Sequence, residues 1–177
     1  MKTIAIIFFS AIFIFPALAQ NTASTAARLQ VYVTKPDGSQ TMMTSDGLSV
    51  TYDQLKLSGE LMISTLVTGD ADLSQILDST LYDRITFSGT IPEGQFAFQS
   101  MVNAKFSVET DLFYGDRQSR ILIDYDVSNR NTSLANTFSI TCTGSISLAN
   151  DLGISRDLGI ADQVSFQYIQ NVQTKNY

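Results

Sequence analysis

Apolar and polar residues alternate with a period of two along most of this chain, which confines it to β-strands with one face buried and the other wet. Leu29, Val31 and Val33 alternate with Gln30 and Tyr32, and Leu48, Val50 and Tyr52 take up the beat after Ser45-Asp46-Gly47. Leu57 to Val67 follows, with Leu61 and Ile63 on one face. Ile85, Phe87 and Gly89 come next, then Phe96 and Phe98, then Phe106, Val108, Thr110, Leu112 and Tyr114. The cleanest column is Ile121, Ile123, Tyr125 and Val127, set against Leu122, Asp124 and Asp126. Phe138, Ile140 and Cys142 lead into Ile146 and Leu148, and Val164, Phe166 and Tyr168 end the series.

Turn residues separate the runs: Pro36-Asp37-Gly38, Asp46-Gly47, Pro92-Glu93-Gly94, Gly115-Asp116 and Ser128-Asn129-Arg130-Asn131. Connections this short join antiparallel neighbours, because parallel strands need long crossovers. Such a series, about eight strands long, fits a closed barrel or a sandwich, and closure has the advantage of leaving no unpaired edge. Two segments break the beat. Residues 71–80 place Leu73, Ile76 and Leu77 at helical spacing, with Asp70 positioned to cap the helix. Asn150 to Ile160 reads as a loop or single helical turn bracketed by Gly153 and Gly159.

The first nineteen residues stand apart from the rest. Lys2, the apolar run Ile4 to Phe15, Pro16 and the small residues Ala17 and Ala19 have the order of a secretory signal cut before Gln20. That run is shorter than the roughly 20 apolar residues of a membrane-spanning helix. The expected organisation is therefore a signal at 1–19 and one β domain at 20–177, placed in a periplasm or released outside the cell. With 17 acidic and 11 basic residues, the chain repels phosphate backbones, so nucleic acid is not an expected partner. The same balance gives no attraction to anionic lipid headgroups.

Catalytic chemistry has little to stand on. The chain contains no histidine, the commonest general base and zinc ligand, and no Walker, dinucleotide or G-x-S-x-G pattern. A calcium loop counted from Asp70 would need glycine at Gln75 and an acid at Leu81, so helix capping explains Asp70 and Asp72 better. Asp124 and Asp126 share a face, but it is the wet face of their strand. Cys142 is the only cysteine, which rules out an internal disulfide and reads as a small buried hydrophobe. No enzyme activity, metal or cofactor is expected. The surplus is aromatic: eleven Phe and seven Tyr fall largely on the apolar side of the strands. They either fill the interior or line it, since a barrel of about eight strands can hold one small ligand.

The order of segments resembles that of the YceI-like proteins. Leu61 to Thr90 (LMISTLVTGDADLSQILDSTLYDRITFSGT) is similar to that family's strand ending in Thr-Gly, its helix, and a returning strand of the form I-x-F. Asp111 to Ile123 (DLFYGDRQSRILI) is similar to its hairpin. Gly144 to Leu148, Asp151-Leu152-Gly153-Ile154 and Gly159 to Val164 resemble its closing strand, D-x-G-I loop and D-x-V strand. The likeness spans roughly Leu48 to Val172, and it departs from the family in lacking Trp and a His-Ser pair.

The resemblance implies an all-β, antiparallel, extended lipocalin-like barrel with one short helix. It also implies an exported binding protein that holds a polyisoprenoid, quinone or related lipid without catalysis or stable membrane insertion. The inward positions then become the ligand lining: Leu61, Ile63, Ile85, Phe87, Phe96, Phe98, Phe106, Val108, Ile121, Ile123, Tyr125, Phe138, Ile140, Val164, Phe166 and Tyr168. Arg84, Arg117 and Arg120 offer cations for a headgroup at the rim. The competing readings are the same barrel with a filled core acting as an interaction module, and a small outer-membrane barrel. The sequence leaves the oligomeric state open.

Overall fold

The computed structural model describes residues 23–53, 55–78, 82–93, 103–132, 135–154 and 158–174. The expected signal, and the candidate residues Phe96 and Phe98, lie outside the described residues. In chain order the strands are β1 (Ala23–Thr34), β2 (Gln40–Asp53), β3 (Lys56–Met62), β4 (Val67–Thr68), β5 (Arg84–Thr90), β6 (Ala104–Tyr114), β7 (Arg117–Thr132), β8 (Ala135–Ser147) and β9 (Gln163–Thr174). A 3₁₀ turn at Ile63–Thr65 separates β3 from β4, and helix α1 spans Ala71–Asp78.

Every pairing is antiparallel, and the ring closes because β1 pairs with β2 on one side and β9 on the other. Eight strands form the wall, with β4 continuing beside β2 where β3 stops. The architecture is a closed antiparallel barrel carrying one helix, which decides between the barrel and the sandwich.

Alternation along the strands sets the inside and the outside. On β7, Ile121, Ile123, Tyr125 and Val127 are buried while Leu122, Asp124 and Asp126 are exposed. Asp126 pairs with Lys105 at 2.7 Å and Asp124 accepts a hydrogen bond from Ser107 Oγ at 2.5 Å, both on the outer wall. The β6–β7 hairpin turns in two residues, Gly115-Asp116, with Gly115 at φ 58°, a conformation that glycine adopts without steric cost. Helix α1 starts where expected: Asp70 Oδ1 accepts the N–H groups of Asp72 and Leu73 at 3.1 and 3.2 Å.

Three local expectations are corrected. Asp46-Gly47 is a bulge inside β2 rather than a turn: between Ala27↔Leu48 and Leu29↔Ser45, two residues of β2 oppose one of β1. The extra residue switches the inward positions from Met43 and Ser45 to Leu48, Val50 and Tyr52, so both halves of the strand bury their apolar side. Leu57 to Val67 is not one strand, because the 3₁₀ turn intervenes. The register against β2 there changes from Ser49↔Glu60 to Thr44↔Val67, and because β2 has switched faces at its bulge the inward positions switch too: Leu57, Leu61 and Ile63 are buried, whereas Val67 is exposed.

Ser128 to Asn131 is strand, with Asn129 opposite Phe138 and Arg130 opposite Thr137. The buried pairs Tyr125↔Cys142 and Val127↔Ile140 fix the register of that hairpin, and the backbone ladder runs on through residues whose local preference is a turn.

The bulge and the 3₁₀ turn lock together. Buried Ser45 places its Oγ 2.6 Å from Thr65 Oγ1 and accepts the Gly47 N–H at 2.9 Å, while Thr65 Oγ1 donates to Met62 O at 2.6 Å. A Cβ on Gly47 would stand 2.6 Å from Thr65 Oγ1, closer than real contacts allow. Gly47→Ala is expected to destabilise the fold by about 1–3 kcal/mol, the usual range for overpacking, as read by urea denaturation. An unchanged midpoint would mean that this lock contributes nothing.

Candidate functional site: an apolar cavity beneath a helical cap

The interior is unequal along the barrel axis. One end holds a cavity of about 160 Å³ whose wall is almost wholly apolar among the described residues. The strands contribute Leu29, Val31, Val33, Met43, Leu48, Leu112 and Ile146, besides residues already expected there. The cover comes from elsewhere: α1 supplies Leu73, Ile76 and Leu77, and the β8–β9 loop supplies Leu148, Leu152, Ile154, Leu158 and Ile160. Leu73 packs in a separate small cluster with Val33, Met43 and Val164, so the helix closes the barrel with its apolar stripe.

Polar ties hold this cover at its rim. Lys35, in the β1–β2 turn, forms an ion pair with Asp70 at the head of α1. Asp162 accepts Ser147 Oγ at 2.6 Å and the Ala149 N–H at 2.7 Å, and Asp151 accepts the Ser147 N–H at 2.8 Å. The Ala161 N–H donates to Thr34 O at 2.8 Å, which joins the loop to the end of β1. The Lys35 ammonium holds the Asp70 carboxyl below its ordinary value, and the Ser147 hydroxyl with the Ala149 N–H does the same for Asp162.

The other end of the barrel is packed. Cys142 lies between Tyr125 and Tyr168 across neighbouring strands, and all three are almost fully buried. Tyr168 donates to the Tyr125 hydroxyl at 3.0 Å, their rings meeting edge to face. Tyr52 donates to Gln170 Oε1 at 2.9 Å, and Phe106 stacks on Tyr125 with centroids 5.2 Å apart. Burial pushes the phenols of Tyr52, Tyr125 and Tyr168, and the thiol of Cys142, above their ordinary values. The groups are therefore neutral at physiological pH, and Cys142 has no thiolate character. Tyr168 belongs to both ends, because its ring also borders the cavity.

Of the inward positions expected from the sequence, Leu61, Ile63, Ile85, Phe87, Ile121, Ile123, Val164, Phe166 and Tyr168 border the cavity. Val108, Tyr125, Phe138 and Ile140 also face inward, but they are buried in the packed end, beside Phe106. Alternation identifies a face and carries no information on height along the barrel, which is why it did not separate the two groups. It also missed the cover. The helical spacing of Leu73, Ile76 and Leu77 was visible, but what that stripe packs against was not.

The arginines considered for a headgroup already have protein partners. Arg84 lies 3.5 Å from Glu60, and Arg120 lies 3.3 Å from Asp111 and 3.7 Å from Glu109 on the exposed wall. Arg117 Nη1 donates to Ala149 O at 3.2 Å and so supports the loop. Among the described residues, no cluster of three His, Cys, Asp or Glu could hold a metal, and no helix is long and apolar enough to cross a membrane.

A closed β-barrel with an apolar chamber under a helix is the lipocalin-like class of fold. No family model matches the chain, and no curated protein matches its sequence. Solved structures do match. One is a polyisoprenoid binding domain from Saccharophagus degradans implicated in plant cell wall breakdown: 13% identity over 89% of this chain and 99% of that one, with a TM-score of 0.66. Another is Burkholderia cenocepacia BcnA, at 13% identity over 82% and 96% of the two chains and a TM-score of 0.57. The chain thus shares the YceI-like barrel fold that its segment order suggested, at an identity where the likeness is one of fold.

The cap should be sensitive to acid. Asp70 and Asp162 have folded-state values below the unfolded carboxylate value of about 3.9. Their stabilisation is therefore present above that value and is lost as pH falls through the folded ones. The melting temperature is expected to drop as pH is lowered through the carboxylate range, and Asp162→Asn should flatten part of that slope. Identical pH profiles for the variant and the parent would contradict this reading of the loop.

Proposed function

We propose that this chain is an exported, non-catalytic binding protein that takes the apolar tail of a polyisoprenoid, quinone or related lipid into its barrel. One observation carries the reading: a chamber whose wall, among the described residues, is almost wholly apolar, covered by an apolar helix face that an ion pair ties at its rim. The fold shared with a polyisoprenoid binding domain supports the choice of ligand class. The acceptor-poor wall suits a saturated or isoprenoid chain better than a polar metabolite, whose groups would lose their hydrogen bonds inside.

The volume sets what the closed form can hold. A cavity of about 160 Å³ compares with the roughly 150 Å³ apolar site that stays dry and accepts benzene. Six buried carbons at ~0.8 kcal/mol each give about 5 kcal/mol before the cost of association, which corresponds to binding no tighter than roughly 0.1–1 mM. Tight holding of a longer chain thus requires the chain to continue past the rim, and the polar ties around α1 and the β8–β9 loop are the part that would yield. A polar headgroup would stay at that end, in water.

The interaction-module reading draws on the aromatic packing of the far end, but the chamber weighs against a filled core. The outer-membrane reading needs an outward apolar band. The outer wall instead carries Lys105, Glu109, Arg120, Asp124 and Asp126, all exposed.

Native mass spectrometry of the protein purified from its exported compartment, followed by solvent extraction and lipid analysis, tests the proposal. A stoichiometric prenyl, quinone or acyl lipid is expected. An apo mass with no uptake of added polyprenol would transfer support to the interaction module.

A further inference from the structure

Both phenylalanines that border the cavity, among the described residues, lie against glycines of a neighbouring strand. Phe87 on β5 is the cross-strand partner of Gly59 on β3, and Phe166 on β9 is the partner of Gly144 on β8. Both pairs face inward. Gly59 falls between buried Leu57 and Leu61, and Gly144 between buried Cys142 and the cavity residue Ile146. A Cβ built on either glycine would come within 3.0 Å of the partner ring's Cζ, closer than real Cβ atoms stand. Each ring therefore occupies the slot that a side chain on the glycine would fill, lying along the wall over bare backbone.

The magnitudes make this consequential. A phenyl ring has the size of benzene, and a cavity of about 160 Å³ is one benzene-sized chamber. A single ring displaced from its glycine into the lumen would fill the whole open volume. The blander account is that an aromatic ring shields an exposed glycine backbone and so stabilises a weak strand position. That account predicts a stability effect and no change in uptake. Gly89 shows the contrast: a Cβ there would meet Val108 and Thr110, neither of which borders the cavity.

We infer that the Gly59–Phe87 and Gly144–Phe166 pairs are the size determinants of the lumen, two notches that park an aromatic ring in the wall and so keep the chamber open. The consequence for ligand choice rests on the carrier reading; the notch geometry does not. Branching or bulk at either glycine drives a ring inward and excludes ligand, whereas shortening either phenylalanine enlarges the chamber toward longer or wider tails.

Benzene uptake, followed by methyl NMR on the full domain, reads the chamber itself, and geraniol binding by calorimetry reads the ligand class. The parent is expected to take up benzene, and Gly59→Ala and Gly144→Ala to remain folded but weaken uptake by about tenfold or more. Gly59→Ala combined with Phe87→Leu should restore it, since the shorter side chain no longer reaches across the lumen. Alanine variants that fold and take up benzene like the parent, or a parent that excludes benzene, would overturn the inference. If Gly59→Ala alone fails to fold, the double variant decides: uptake supports the notch and exclusion overturns it. Benzene uptake that follows this pattern without any geraniol binding would leave the notches standing and remove the isoprenoid carrier.

Discussion

Pairing of β1 with both β2 and β9 turns a sheet into a container, and the rest of the structure depends on it. Opened at β1, the same strands would expose two long edges and could bury their apolar faces only by collapsing on one another. Closed, they enclose a lumen whose width follows from the number of strands. β1 also supplies Leu29, Val31 and Val33 to the chamber wall. Closure on both sides requires β2 to reach β1 along its whole length while keeping its apolar side chains inward. The bulge at Asp46-Gly47 makes that possible by correcting the face halfway along. Ser45 and Thr65 then join the bulge to the 3₁₀ turn that leads into the helical cap.

Within that container, two kinds of packing meet at Tyr168. On one side, hydroxyl, amide and thiol groups are buried together and hydrogen-bonded, an arrangement stable only while each group keeps its partner. On the other, the wall is almost wholly apolar among the described residues, and the chamber is capped by side chains from a helix and a loop rather than by barrel strands. The tyrosine end fixes the barrel's shape and forms a floor. The cap end is tied differently, by an ion pair and hydrogen bonds at the rim, the Lys35–Asp70 pair and the Ser147–Asp162 bond part-buried and the Ala149–Asp162 bond exposed.

Much of this was legible in the residues. Alternation placed Ile121, Ile123, Tyr125 and Val127 inside and Asp124 and Asp126 outside, and the capping role of Asp70 followed from its position before the helical spacing. The order of segments pointed to the barrel fold. What escaped depended on contacts distant in sequence. Nothing local distinguishes the bulge at Asp46-Gly47 from a turn, since the same residues serve both. The strand through Asn129 to Asn131 is imposed by its β8 partner against local preference. The division of the inward residues into chamber and floor needs the height of each strand, which only closure sets. Gly59 and Gly144 read as gaps in the pattern until their partner rings are known.

The central claim is that the chamber beneath α1, bounded by the tyrosine floor, is where an apolar tail sits. Methyl-resolved NMR during titration with a prenyl alcohol tests it most directly. The account predicts shifts confined to chamber methyls such as those of Leu73, Ile76, Ile121, Ile123 and Leu152, with Val50, Ile140 and Val172 beyond the floor unmoved. Shifts centred on the outer residues Leu122 and Ile169, or spread evenly through both ends of the barrel, would contradict it.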